Sequence, residues 1–151
     1  MSFFDAVISG FLRTFDFKGR SSRSEFWWFF LFSLMLMLIV LNFTIDGLEQ
    51  QIGEIQSGDI SDLLRVFIGS PLGLAMLIGY LPQIALSVRR FHDVGKSGWW
   101  FLYLQIVPSF LPGSLSFIGV ITLFMYLYFM CEAGGDKNQY GSNPLIKDAD
   151  I

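Results

Sequence analysis

Three short segments hold most of the side chains in this sequence that could do chemistry. They are K-G-R-S-S-R-S-E-F-W-W (18–28), R-R-F-H-D-V-G-K-S-G-W-W (89–100) and G-G-D-K-N-Q-Y-G-S-N-P (134–144). Arg20, Arg23, Arg89 and Arg90 bring four guanidinium forks, which bind phosphate oxygens in pairs. His92 beside Asp93 is a pairing found in acid–base catalysis and in metal phosphohydrolases. The phosphohydrolases need further histidines. This chain has one histidine and one cysteine, so the residues predict no metal site and no disulfide. A serine nucleophile with His92 as base is open to Ser21, Ser22, Ser24 or Ser97, although no nucleophile elbow accompanies it. No cofactor motif is present.

Helical spacing arranges the second segment further. Arg89, His92, Asp93 and Lys96 fall at i, i+3, i+4 and i+7 on one face, which predicts an Arg89–Asp93 pair and turns Arg90 elsewhere. Glu25 is then the carboxylate for Arg90 or Arg23. Trp27, Trp28, Trp99 and Trp100 suit an aromatic belt at the headgroup boundary. Beside a bilayer, four arginines with His92, Asp93, Lys96, Asn138 and Tyr140 fit an anionic lipid headgroup, another phosphate, or a protein partner. The plainer account is a positive-inside anchor with its belt, which leaves His-Asp and Asn-x-Tyr-Gly unexplained.

G-R-S-S-R-S-E-F-W-W, R-R-F-H-D-V-G-K-S-G-W-W and N-Q-Y-G-S-N-P, in that order, resemble the three signatures of the bacterial domain-of-unknown-function 805 family of small inner-membrane proteins. The resemblance runs from about Phe15 to Pro144, with the acidic stretch as its variable part. It puts Gly19, Arg20, Arg23, Phe26, Trp27, Arg89, Arg90, His92, Asp93, Gly95, Ser97, Gly98, Trp99, Asn138, Tyr140, Gly141 and Pro144 at signature positions. It implies an inner-membrane location and carries no established activity.

The elements that must position these residues follow from the gaps between charges. Twenty uncharged residues separate Glu25 from Asp46, twenty-three separate Arg65 from Arg89, and thirty-five separate Lys96 from Glu132. Twenty helical residues cover about 30 Å, the thickness of a bilayer core. The last gap is too long for one span, and P-S-F-L-P-G-S (108–114) breaks it. The expected architecture is an all-α integral membrane protein with four transmembrane helices in two hairpins (26–45, 66–88, 97–111 and 114–131). The rival arrangement makes Trp99–Leu111 a re-entrant segment with three true spans. The first run is too long for a signal-peptide core, and no A-x-A site follows it, so it should stay as an anchor.

Nine of the ten lysines and arginines then fall on one side, so both termini and the tail 132–151 are expected in the cytoplasm. The outer loop 46–65 holds Arg65 alone against five carboxylates. Phe4, Ile8, Phe11 and Phe15 predict an interfacial amphipathic helix over 2–16, with Asp5, Ser9, Arg13 and Asp16 opposite.

Composition agrees: 53% of residues are apolar, 15% are charged, and mean hydropathy is +0.54. A net charge of −3 argues against a general nucleic-acid binder. Ionisable residues are absent from the assigned spans, which weighs against an ion-coupled transporter. A small transporter or channel component, as an oligomer, stays open, with Gln83 the main polar spot.

Gly69 and Gly73 fit G-x-x-x-G, and Ala75 and Gly79 continue the small-residue spacing, predicting close helix packing or a homo-oligomer contact. Pro71 and Pro82 should bend or interrupt the second span, and Cys131 is expected as a buried thiol. W-W-F at 27–29 and again at 99–101 fits either a parallel two-fold repeat or shared interface chemistry. The third segment is expected to fold beneath the helices and meet the other two, with 146–151 frayed.

Overall fold

The computed structural model describes residues 1–53, 59, 61, 64 and 68–145. Most of the expected outer loop beyond residue 53, the start of the expected second span, and 146–151 lie outside those residues. The helices are α1 (Phe3–Leu12), α2 (Arg23–Gly53) and α3 (Pro71–Asp93). A composite limb follows: α4 (Trp99–Phe101), a π-helical turn (Leu102–Ile106) and a 3-10 turn (Val107–Phe110). A second 3-10 turn (Gly113–Leu115) leads into α5 (Ser116–Cys131), and β1 (Lys137–Asn138) pairs antiparallel with β2 (Gly141–Ser142). The fold is therefore helical with one two-residue β-ladder, a small departure from all-α.

Among the described residues, two helices are long and apolar enough to cross a bilayer: Arg23–Ile45 within α2, and α3. α2 runs on to Gly53, so the first eight residues expected in the outer loop continue the helix. The α5 helix, at 16 residues, covers about 24 Å.

The chain divides into two compact units, Phe30–Leu81 and Met1–Phe29 with Pro82–Ile151. In the first, Ser70 caps α3: its hydroxyl accepts the Gly73 N–H at 3.0 Å. Pro71 takes the first helical position, where its missing N–H costs nothing. Pro71 therefore starts the helix rather than bending it. The bend at Ser70 also separates Gly69 from Gly73, so G-x-x-x-G does not lie on one continuous helix. Gly79 does act in packing. A Cβ there would sit 3.1 Å from the Ser33 Cβ, so glycine eases a tight approach of α3 to α2.

In the second unit the core is aromatic. Phe26 and Phe91 both pack against Tyr126, and Phe91 also meets Phe129. Ser87 donates to the Gln83 carbonyl four residues back at 2.7 Å, and its oxygen lies 2.7 Å from the Tyr126 hydroxyl. Pro82 sits inside α3 without ending it.

α1 is shorter than expected, stopping at Leu12. It opens with a capping box in which the Ser2 side chain and Asp5 satisfy each other's backbone N–H groups. Phe4 and Leu12 face outward, 75% and 82% exposed, while Phe3 and Phe11 meet the Trp28 and Phe29 rings of α2. Ala6 and Gly10 are buried against α2, with Gly10 in contact with the Phe29 ring.

Candidate functional site

The first signature leads into α2 through a second capping element. Ser22 accepts the Glu25 N–H at 3.2 Å, the S-x-x-E pattern of a helix start. The Glu25 carboxylate is then free to turn inward, where it accepts the Ser9 hydroxyl at 2.8 Å. The second signature ends α3. Gly95 adopts φ +74°, its N–H donates to His92 O, and the Lys96 N–H donates to Phe91 O at 2.8 Å. This is a Schellman end, and it needs a residue tolerant of the left-handed region. The turn also takes Lys96 off the helical face that spacing assigned to it. Lys96 instead lies 5.9 Å from the Trp100 ring centre and 5.8 Å from that of Phe129.

Three guanidinium groups converge inside the unit, and all three are buried: Arg20 is 6% exposed, Arg89 and Arg90 0%. Arg20 directs Nε and Nη2 at Asp93 Oδ1, both at 2.8 Å. Its remaining capacity goes to the third signature: Gly135 O at 2.5 Å, Gly141 O at 3.0 Å and Asp136 O at 3.4 Å. Arg90 donates to the other Asp93 oxygen, and to the carbonyls of Met130 and Glu132 at the end of α5. A cation there also meets the negative end of the helix dipole. Arg89 donates to Ser21 Oγ at 2.9 Å, Arg13 O at 2.9 Å and Asp16 O at 2.5 Å, and its Nη2 lies 3.8 Å from Glu25.

The pairing predicted from helix spacing is therefore corrected. Asp93 pairs with Arg90 at i+3 rather than Arg89 at i+4, and Glu25 pairs with Arg89 rather than with Arg90 or Arg23. Both spacings are within reach on a helix, and the third body decides. Arg20 arrives from the N-terminal segment on the Arg90 side, while Glu25 and Ser21 arrive on the Arg89 side. Three cations face two carboxylates, and backbone carbonyls absorb the excess positive charge.

The third segment closes this assembly. Asn138 Nδ2 donates to His92 O at 2.8 Å, and its Oδ1 accepts the Tyr140 N–H at 2.9 Å. The Tyr140 ring stacks on His92 at 3.9 Å, with 6° between planes. His92 Nδ1 faces Gly19 O at 3.2 Å, so Nδ1 carries the proton and Nε2 keeps a lone pair. Gly134 packs against the Asp93 carboxylate so closely that a Cβ would overlap both oxygens.

Not every predicted site residue joins. Arg23 is exposed, with one long donor contact to Cys131 O at 3.5 Å. Trp99 is 67% exposed, Pro144 lies at the surface, and Trp27 packs beside the Phe26 ring. Cys131, expected buried, is exposed, because it is the last residue of α5 and turns away from the core. Ser9, Gly134 and the carbonyls of 130–141 belong to the assembly and were not anticipated, and Ser21, weighed as a nucleophile, serves instead as an acceptor for Arg89. None of these left a local sequence signal, whereas Ser22-x-x-Glu25, which sets the entry of α2, did.

The arrangement limits the available chemistry. Asp93 is committed to two arginines, and His92 to Gly19 and Tyr140. Ser21 Oγ accepts from Arg89, Ser22 caps α2, and Ser97 Oγ accepts the Trp99 N–H at 3.4 Å. No group of three or more His, Cys, Asp or Glu able to hold a metal occurs among the described residues. With Arg20, Arg89 and Arg90 internal, they have no surface left for a headgroup. Lys18 and Arg23 are the exposed cations of the first segment. Lys18 borders an open cavity of about 570 Å³ with Phe11, Phe15 and Phe17.

Beside that cavity, partial burial raises the Asp16 carboxyl, but the Lys18 N–H and the Arg13 and Arg89 charges outweigh it and hold the group below its ordinary value. The Ser2 hydroxyl and N–H likewise lower Asp5.

A family model described as Protein of unknown function (DUF805) matches residues 14–142. The Inner membrane protein YhaH of Escherichia coli (strain K12) is 28% identical over 132 residues, covering 87% of this chain and 88% of that protein. The Inner membrane protein YhaI of the same strain is 28% identical over 148 residues, covering 95% and 96%. No solved structure matches.

Proposed function

The chain belongs to the family described as Protein of unknown function (DUF805), and from that premise we propose a four-span protein of the bacterial inner membrane, both termini cytoplasmic, that binds rather than catalyses. Its cytoplasmic face takes the headgroup of an anionic lipid, or a protein partner. The charge gaps and the 9-to-1 partition of lysine and arginine support the topology.

The observation that carries the binding reading is the orientation of α1. Phe4, Ile8 and Leu12 point away from the protein, while Phe11 packs on Phe29 and Ser9 reaches inward to Glu25, the polarity of a helix lying in a membrane interface. Lys18 and Arg23 are the cations left for a phosphate at that level. The buried arginines hold the three signatures together as the platform beneath them.

Native mass spectrometry of gently extracted protein tests this. Phosphatidylglycerol or cardiolipin should be retained in preference to phosphatidylethanolamine. Lys18→Gln with Arg23→Gln should abolish the preference with the fold intact. Equal retention of all three lipids, or an unchanged preference in the double variant, refutes the reading.

One observation favours a second reading, a small transporter or channel component. Among the described residues, the buried Gln83 amide has no hydrogen-bond partner on either atom, in an uncharged stretch of α3. Solute flux through reconstituted vesicles, lost in Gln83→Leu, would select it.

A further inference from the structure

The second unit carries an open groove of about 510 Å³, within the range of small-ligand sites. Ile84 and Val88, one helical turn apart on α3, form one wall. Leu102 and Ile106, the first and last residues of the π-helical turn, form the other. Its remaining end is polar, made by the stacked His92 and Tyr140. π-turns are rare and concentrate at functional sites. Here the turn supplies two of the groove's apolar side chains.

We propose that this groove binds one acyl chain of a membrane glycerophospholipid, with a headgroup hydroxyl or ammonium donating to His92 Nε2. The inference rests on the membrane placement in the preceding reading but not on its preference for anionic lipid.

Three observations favour a lipid over other occupants. The walls are apolar, with Phe17, Trp99 and Phe101 beside the four aliphatic residues, and Tyr103 and Val107 next to the π-helical wall are exposed, so hydrocarbon is the medium that reaches them. The polar end offers an acceptor: Nδ1 is spent on Gly19 O, and Nε2 lies towards Gly98, which also lines the groove. A groove apolar along its length and polar at one end matches a lipid's own division. Gly98 packs closely on the α3 wall beside that end, because a Cβ there would come 2.6 Å from Val88 Cγ1.

The full-length protein would be reconstituted in phosphatidylcholine vesicles doped with phosphatidylethanolamine or phosphatidylglycerol bearing a diazirine in the acyl chain. Photoadducts are then mapped by mass spectrometry. Adducts at Leu102 and Ile106 should saturate as the probe fraction rises, while those at the exposed Phe124 increase in proportion. Ile84→Trp, which fills the groove, should reduce the Ile106 adduct to the Phe124 level. His92→Phe keeps a ring to stack on Tyr140 but removes the acceptor. It should lower groove labelling by both probes several-fold, to that of a phosphatidylcholine probe.

Groove labelling that tracks Phe124 without saturating overturns the proposal, and that measurement needs no variant. Unchanged labelling in His92→Phe overturns the headgroup contact. Equal saturation by both probes leaves the groove intact while counting against the anionic preference, so the two readings fail separately.

Discussion

Replacing Asp93 by asparagine keeps the shape of the side chain and removes its charge from between two buried guanidinium groups. Asp93 is 4% exposed and accepts from Arg20 through one oxygen and from Arg90 through the other. Breaking a buried pair by removing one partner costs about 3–5 kcal/mol, because the abandoned charge stays buried. Two cations are abandoned here. Arg20, however, keeps three carbonyls of the third segment, and Arg90 keeps two at the end of α5. Those contacts place the expected loss at the lower end, about 3 kcal/mol, a large share of the 5–15 kcal/mol typical of a folded domain. Equilibrium unfolding in mixed micelles, followed by tryptophan fluorescence, measures it. Amide exchange of residues 134–142 should accelerate in parallel, since Arg20, beside Asn138 and Tyr140, ties them to the helices. A loss under about 1 kcal/mol, the value of an exposed pair, would refute the buried-charge reasoning.

Further expectations concern the same unit. Gly134→Ala should destabilise by about 1–3 kcal/mol, the cost of overpacking, because its Cβ meets the Asp93 carboxylate; chemical unfolding reads it. Cys131 is exposed and is the single cysteine, so a membrane-impermeant maleimide should label it in inverted vesicles and not in intact cells. The lowered Asp16 pKa means its carboxylate contributes stability above the ordinary aspartate value of about 3.9 and loses that contribution as pH falls through the depressed one. An NMR titration of Asp16 should give a midpoint below that value, and one at or above it removes the claimed contacts with Lys18 and Arg13.

Charge gaps were enough to mark α2 and α3, because excluding ions from twenty residues is a one-dimensional property. Ser22-x-x-Glu25 and Gly95 likewise announce where α2 begins and α3 ends through local backbone needs. The arginines were misjudged for a different reason. Lys and Arg are almost never fully buried unless paired, so residue type alone places them at a surface. Their true partners lie on segments far apart in the chain, and most of them are carbonyls, which any residue type supplies. The choice of Arg90 over Arg89 for Asp93 also depended on Arg20, which no helical spacing includes. The groove was illegible because the π-turn of Leu102–Ile106 has no proline, glycine or charge to signal a change of helical period.

Arg20 is joined to acceptors 115 to 121 residues later in the chain. At 5–20 residues per second, synthesis separates the two ends of that link by roughly 6–24 s. Throughout that interval the nascent protein holds the Arg20 guanidinium without those acceptors. The link from Arg20 to the third segment therefore closes only after residue 141 has been made. Premature termination anywhere before Gly135 would leave Arg20 without any of those three acceptors.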